Sequence, residues 1–254
     1  MAVLCDIHGN LPALDAVLAD IARAPVDLVV FAGDILPGPM PVATLDRIMS
    51  LDVPTRFVMG NGDREAVEAF DVLSARAFGS SDAPDIKYPS VEWVASQLTL
   101  RHRDFLAAFE STVRVELDAG SAALCCHGSP RGDIEVITCF SPTSRVGPMI
   151  AGVSEDIVVC GHTHRQFDLR FGDKRVLNAG SVGMPYEGRR AAFWLVLDKE
   201  PNMRVTEYDV VSALDNFRDT DYPGVDDMFQ ESLIEPDDPD KVARFFEDNA
   251  GKNY

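Results

Sequence analysis

Positive charge is scarce in this sequence: 23 Lys and Arg stand against 41 Asp and Glu over 254 residues, a formal net charge of -18 at pH 7. An extended nucleic-acid footprint or an anionic membrane surface calls for the opposite sign, so no broad nucleic-acid binding is expected. Long apolar runs are missing too. None approaches the roughly 20 residues of a spanning helix, and no membrane association is expected. The opening stretch, Met1 to Cys5, carries no basic segment or cleavage pattern, so it is not expected to be a signal peptide. The five cysteines are an odd number without disulfide spacing. Cys5, Cys125, Cys126 and Cys160 sit in strand-like apolar runs, as reduced core thiols of a cytoplasmic protein would. Cys125 and Cys126, adjacent on a strand, face opposite ways and cannot clamp one metal ion. No Gly-x-Ser-x-Gly elbow occurs, and Ser129 and Ser181 lie in Gly/Pro turns, so Ser/His/Asp hydrolysis is disfavoured. No internal repeat is visible.

What remains is an ordinary globular composition, with 46% hydrophobic and 25% charged residues, long enough for one sizeable α/β domain with decorations. Histidine is also scarce, at five residues, and its placement is the main signal. His162 and His164 follow the apolar run Ile157 to Cys160 as Gly161-His162-Thr163-His164, the tip of a buried strand opening into a loop. His8 follows Met1 to Cys5 within Asp6-Ile7-His8-Gly9-Asn10. His127 follows Ala122 to Cys126 within His127-Gly128-Ser129-Pro130-Arg131. Two further apolar runs, Leu28 to Ala32 and Thr55 to Met59, end in Gly33-Asp34 and Gly60-Asn61-Gly62-Asp63-Arg64. Imidazole, carboxylate and amide ligands at five strand ends predict one metal site assembled from several loops. An extended backbone would put Asp6 and His8 on the same side, able to reach one ion together. Asp34 is the ligand type best able to bridge two cations. Asp63 is an alternative cap for a helix beginning near Arg64, and Arg64 is either a phosphate clamp or a solvated helix residue.

The strand, loop, helix, strand order of the first 60 residues predicts parallel βαβ units. Pro12 marks a helix start, with Leu14, Val17, Leu18 and Ile21 on one face. Residues 70–90, with Gly79-Ser80-Ser81 and two prolines, read as a loop-rich insertion. Residues 91–109 read as one helix, with His102 exposed on it between Arg101 and Arg103. A hairpin is expected from 113–117 and 122–126 around Asp118-Ala119-Gly120. Short strands near 166–170, 175–177, 192–197 and 204–210, with tight connections, suggest an antiparallel second sheet. Asn178 to Gly183 reads as a tight turn approaching the metal site through its backbone. From Ser212 onward the chain turns acidic, with two short helices expected, one ending near Leu233 and one over 241–248. The expected division is a domain over 1–211 and an acidic cap or tail over 212–254 that is not an independent domain.

Taken together, Asp6-Ile7-His8, Gly33-Asp34, Gly60-Asn61-Gly62-Asp63, His127-Gly128 and Gly161-His162-Thr163-His164 resemble the five-motif signature of the calcineurin-like metallophosphoesterases. The resemblance covers residues 1 to about 210 and is nearest the compact bacterial phosphodiesterase and diadenosine-tetraphosphatase-like branch. It implies an α/β fold, a four-layer αββα sandwich, with two divalent ions at the C-terminal strand ends. One ion would take Asp6, His8, Asp34 and His164, the other Asp34, Asn61, His127 and His162. Mn²⁺, Fe or Zn²⁺ would each suit these ligands. Asp34, Asn61, His127 and His162 are the implied catalytic set, for a hydroxide bridging two ions and attacking phosphorus in a small phosphorylated substrate. The usual third motif has a histidine after the asparagine, taken to protonate the leaving oxygen, and this chain has Gly62 there. Phosphodiesters, activated esters or nucleotide-type anhydrides are then expected over alkyl monoesters, with Arg64, Arg131 and Arg165 as candidate phosphate contacts and His102 as a possible substitute acid. The competing reading is a metal-binding scaffold that acts through its acidic tail. The oligomeric state and the metal's identity are not legible in the residues.

Overall fold

In the computed structural model, residues 1–80, 84–117, 120–198 and 200–251 are described. The apolar runs alternate between two cores, as period-2 strands buried on both faces must. In β1 (Ala2–Leu4) and β2 (Val29–Ala32), Ala2, Leu4, Val29 and Phe31 face one core, while Val3, Val30 and Ala32 face another. The first core lies under a layer of helices. α1 (Leu11–Ile21) contributes Leu14, Val17, Leu18 and Ile21, all buried as their spacing requires. α2 (Pro41–Met49) contributes Leu45 and Ile48. The second core is shared with the other sheet, whose β4 (Val113–Glu116), β5 (Ala122–Cys125) and β6 (Ile157–Cys160) supply Val113, Ala123, Cys125 and Val159. The opposite face of that sheet presents Cys126, Val158 and Cys160 to Val146, Met149 and Ile150 around α6 (Thr143–Ile150). The layers are therefore helix, sheet, sheet, helix. All five cysteines are free, and Cys125 and Cys126 do face opposite cores.

The first sheet places β1 at its centre, parallel to β2, which is parallel to β3 (Thr55–Val58). The second has the order β4-β5-β6-β8-β7, with β7 at Phe167–Phe171 and β8 at Lys174–Asn178. The expectation of an antiparallel second sheet from the late strands is corrected here. β7 and β8 form a hairpin, but β8 runs parallel to β6. The next hairpin, β9 (Ala192–Leu197) with β10 (Pro201–Thr206), crosses to the first sheet, where β9 pairs antiparallel with β1. Tight turns fix a hairpin's own register; which sheet edge it joins is a long-range packing choice.

Other boundaries shift. α3 (Asn61–Ala77) runs two turns into the stretch read as a loop, anchored by buried Ala66 and Ala69. The single helix expected over 91–109 is two, α4 (Pro89–Gln97) and α5 (Leu100–Ala107). Leu98 turns extended, and the Thr99 hydroxyl caps α5 by accepting from the His102 N–H at 3.4 Å. The hairpin between β4 and β5 is as expected, although Asp118 and Ala119 of its turn lie outside the described residues, as does Ser81. Among the described residues the acidic segment holds three α-helices: α7 (Val210–Arg218), capped by Asp209, α8 (Val225–Phe229), which continues as a π-helical turn Gln230–Ile234, and α9 (Pro239–Asn249). Phe217, Phe229 and Leu233 form its own small core against Met40 and Met184. Among the described residues no helix is long and apolar enough to cross a membrane.

Candidate metal centre

Each of the five strand-to-loop motifs ends at the same edge of the two sheets. The seven expected ligands meet there as two trios and Asn61. Asp6, His8 and His164 are buried, with ligand atoms within 4.8 Å of one another, and buried Asp34 and His127 form a second group of the same closeness with the half-buried His162. Asp34 joins them: its Oδ2 lies 3.4 Å from His127 Nε2 and 3.9 Å from His8 Nε2. Asn61 Oδ1 stands 3.2 Å from His127 Nε2.

The backbone of these loops is not the extended one expected. Among the described residues, the non-glycine positions with positive φ are Asp6 (54°), His8 (49°), Asp34 (53°), His162 (64°) and His164 (56°). Each is a candidate ligand. Asp6 and His8 therefore converge through two left-handed turns, not through an extended i, i+2 pair. A left-handed conformation costs about 1–3 kcal/mol at a side-chain-bearing residue and persists where the surroundings over-determine it. Those surroundings are hydrogen bonds between the loops. The N–H groups of Ile7 and His8 donate to the Asp34 carbonyl at 2.8 and 3.1 Å, and the His162 N–H donates to Asp6 Oδ2 at 3.0 Å. The turn at Asn178 to Gly183 adds more: the Ser181 hydroxyl and Gly183 N–H both donate to the Asp6 carbonyl, and Asn178 Nδ2 donates to the Gly161 carbonyl.

The histidine tautomers follow from their outer partners. Carbonyls only accept, so His8 donates from Nδ1 to Pro37 at 3.2 Å, His127 to Ala32 at 3.0 Å and His164 to Met184 at 2.6 Å. In their neutral forms all three rings then aim Nε2 lone pairs inward, the usual arrangement behind a metal ligand. His8 and His164 Nε2 stand 3.3 Å apart, a repulsive meeting of lone pairs unless a cation or a proton lies between them. The donor set of imidazole nitrogens, carboxylates and one amide oxygen fits divalent Mn, Fe or Zn.

Electrostatics show the same crowding. Burial, reinforced by His164, pushes His8 down to about 4. Burial and His127 do the same to His162, also to about 4. His127 goes the other way, up to about 10, because Asp34 and Asp6 outweigh the burial that would lower it. Burial works to raise Asp34, but His127, His8 and His162 hold it well below the usual carboxylate range. Asp63 lies beneath the site at N3 of α3, accepting from the N–H groups of Leu36 at 3.0 Å and Gly60 at 3.3 Å. Burial and then Asp34 push its carboxyl up to about 8.

Gly62 is shaped by packing. A Cβ there would lie 2.3 Å from the Leu36 carbonyl oxygen and 2.7 Å from Pro37, and the Gly62 N–H donates to Asp34 Oδ1 at 2.8 Å. Gly33 is tight too, since a Cβ would meet His127 Nδ1 at 2.3 Å.

The remaining candidates are placed elsewhere. His102 is buried, not exposed: its Nδ1 accepts from the Thr99 N–H, leaving Nε2–H to donate to Asp46 at 3.2 Å, so it serves the α5 cap. Arg64 pairs with Asp133 at 2.7 Å and with Glu68, Arg131 with Glu135, and Arg165 with Asp240 at 2.7 Å and the Pro239 carbonyl at 3.0 Å. Arg64 also lines a cavity of about 360 Å³. A second cavity, of about 450 Å³, opens directly on His8, Asp34, Asn61 and Gly62, and its far wall is the acidic segment, through Tyr222, Asp227 and Met228. The two cavities share Glu65, Tyr88 and Val91. The cleft-lining Tyr88, Tyr222 and Met228 escaped the sequence reading, as did Tyr186, whose ring stacks on His164; a tyrosine or methionine outside a motif carries no sign of its neighbours.

Residues 1–200 match the family model of the calcineurin-like phosphoesterase superfamily domain. An uncharacterized protein of Methanocaldococcus jannaschii is 25% identical over 238 residues, covering 84% of this chain and 89% of that one. Among solved structures, a hypothetical protein from Pyrococcus horikoshii OT3 superimposes with a TM-score of 0.78 at 19% identity, over 94% of this chain and 98% of that one. A metallophosphoesterase from Sphaerobacter thermophilus gives 0.68 at 22% identity, over 86% and 92%. At these identities the structural likeness bears on the fold alone.

Proposed function

Since the chain belongs to the calcineurin-like phosphoesterase superfamily, we propose that it is a dinuclear metal-dependent phosphoesterase, acting on phosphodiesters, activated phosphoesters or nucleotide-type anhydrides. The observation that carries this reading is the convergence of seven side chains of metal-ligand type, which approach to 3.2–3.9 Å where their distances are closest. Asp6, His8, His164 and Asp34 would hold one ion, and Asp34, Asn61, His127 and His162 the other. Bound divalent ions would make water a nucleophile near neutral pH and neutralise charge on the phosphate oxygens.

The chain's own residues do the rest. The carbonyls of Pro37, Ala32 and Met184 fix the imidazole tautomers, and the Gly62 N–H fixes the Asp34 carboxylate. The cavity on the site supplies no Lys or Arg among its lining residues, but does supply the exposed Asp227. A diester brings one negative charge to that wall and a monoester up to two, so the uncompensated second charge favours the diester. The substrate is a small phosphorylated molecule reaching the site through this cleft, in the cytoplasm.

Hydrolysis of bis(4-nitrophenyl) phosphate beside 4-nitrophenyl phosphate, on protein stripped and reloaded with Mn²⁺, tests the reading. Metal-dependent turnover favouring the diester supports it. No turnover with Mn²⁺, Fe²⁺ or Zn²⁺ overturns it.

A further inference from the structure

Breaking a phosphoester P–O bond leaves the electron pair on the departing oxygen, and a basic oxygen leaves slowly unless a proton reaches it as the bond breaks. His8, His127 and His164 commit their Nδ1 protons to carbonyls and turn Nε2 inward, where a bound cation would take the lone pairs, so in the metal-loaded protein none of them offers that proton. The other titratable side chains on the cavity wall are Tyr88, Tyr222, Asp227 and Glu65. Tyr222 is packed edge-on against Trp93 at 5.4 Å, and burial pushes its phenol up to about 12. Asp227 is exposed in the first turn of the five-residue α8. Tyr88 has Lys87 over its ring at 4.5 Å.

Glu65 is placed differently. It stands one helical turn beyond Asn61 on α3, half-buried, at the junction shared by the two cavities. Among the described residues no hydrogen bond or ion pair engages its carboxylate, while its neighbour Arg64 is taken by Asp133 and Glu68. Facing it are Arg64 and Glu68 from α3, Asp34 from the metal loops, Lys87 and Tyr88 from the opposite wall, and Asp227 from the acidic segment. Burial holds its carboxyl above the ordinary glutamate range, with Asp34 and Glu68 adding to this and Arg64 and Lys87 opposing it.

We propose that Glu65 is the general acid of the reaction, handing its carboxyl proton to the departing ester oxygen where the two cavities meet. The inference rests on the phosphoesterase reading. Water forms the new P–O bond and releases its proton to solvent. The old P–O bond breaks with its electron pair on the leaving oxygen, which takes the Glu65 proton and departs as an alcohol or phenol. The Glu65 carboxylate regains a proton from water, and no other reactant is consumed.

The test compares wild type with Glu65→Gln, both full-length and Mn²⁺-loaded, on methyl 4-nitrophenyl phosphate and methyl phenyl phosphate. Nitrophenolate needs little protonation to leave and phenolate needs more. Loss of the acid should slow the phenyl ester by about 10² or more and the nitrophenyl ester by less than about tenfold. The basic limb of the kcat–pH profile for the phenyl ester should vanish in the variant. Infrared difference spectra of the loaded protein across that limb should show a carboxylate band growing in the wild type and missing from Glu65→Gln. Equal slowing of both esters, an unchanged basic limb or identical infrared spectra would overturn the role of Glu65. A wild type that turns over neither ester would instead overturn the phosphoesterase reading, and the role of Glu65 with it.

Discussion

The ring of Tyr186 lies flat on the ring of His164, with centroids 5.1 Å apart and planes 14° from parallel, and the Tyr186 N–H donates to the His164 carbonyl at 3.0 Å. Behind Tyr186 sits Phe246 of α9, at 6.0 Å. The same helix holds Arg165, next in sequence to His164, through Asp240, and it holds Thr138, Ser141 and Arg145 through Glu247. The acidic segment is thus fastened on both sides of the His162-Thr163-His164 loop.

This support should be measurable as metal affinity. Replacing an outer partner of a ligand typically costs 10–100-fold, and Tyr186→Leu is expected to weaken Mn²⁺ binding by about that range, read by isothermal titration. Affinity unchanged from wild type would show that the stacked ring does not orient His164.

Gly62 should resist repair. Because a Cβ would press on Leu36 and Pro37, Gly62→Ala is expected to lose about 1–3 kcal/mol of stability by overpacking. Gly62→His should lose at least as much and gain no acid function, as judged by urea denaturation and by the phenyl ester assay. A stable Gly62→His protein with faster turnover would contradict the packing argument.

Metal removal should destabilise the fold. With free Mn²⁺ at a hundred times its Kd, each site adds about 2.7 kcal/mol, which for a chain of this size is a rise in Tm of about 5–10 °C. Thermal unfolding with chelator and with Mn²⁺ checks this; identical curves would argue that the strained ligand loops are not metal-linked.

Glu187 supplies a pH dependence away from the ligands. Burial raises its carboxyl despite the Gln166 N–H donating to it at 2.5 Å. The folded state therefore keeps this proton to higher pH than the unfolded chain, whose value is about 4.5. The sign is that of a raised carboxyl: its contribution is full below about 4.5 and is lost as pH rises through the folded value. Wild-type stability should fall more steeply above pH 4.5 than that of Glu187→Gln, in parallel denaturation series; parallel slopes would contradict this.

Much of the site was legible because it is written locally. An apolar run, a glycine and an N/O ligand mark each of the five loops, and Asp6, His8, Asp34, Asn61, His127, His162 and His164 do converge. The left-handed turns at Asp6 and His8 were not legible, because they are imposed by hydrogen bonds from the Asp34 and Gly33 loop some 30 residues away. Nor was the crossing of β9 to β1, which depends on which edge is free to receive it. The buried role of His102 was hidden for a related reason: Arg101 and Arg103 beside it suggested a solvated face, while Asp46 of another helix claims its ring. The walls of the cleft, from Tyr88 to Tyr222, come from segments 134 residues apart.

Metal stoichiometry tests the central claim most directly. Protein stripped with chelator, equilibrated with saturating Mn²⁺ and analysed by plasma mass spectrometry should hold two ions per chain, and Asp34→Asn should hold fewer because it removes the shared carboxylate. One ion or none in the wild type, or two retained in Asp34→Asn, would contradict a dinuclear centre built on Asp34.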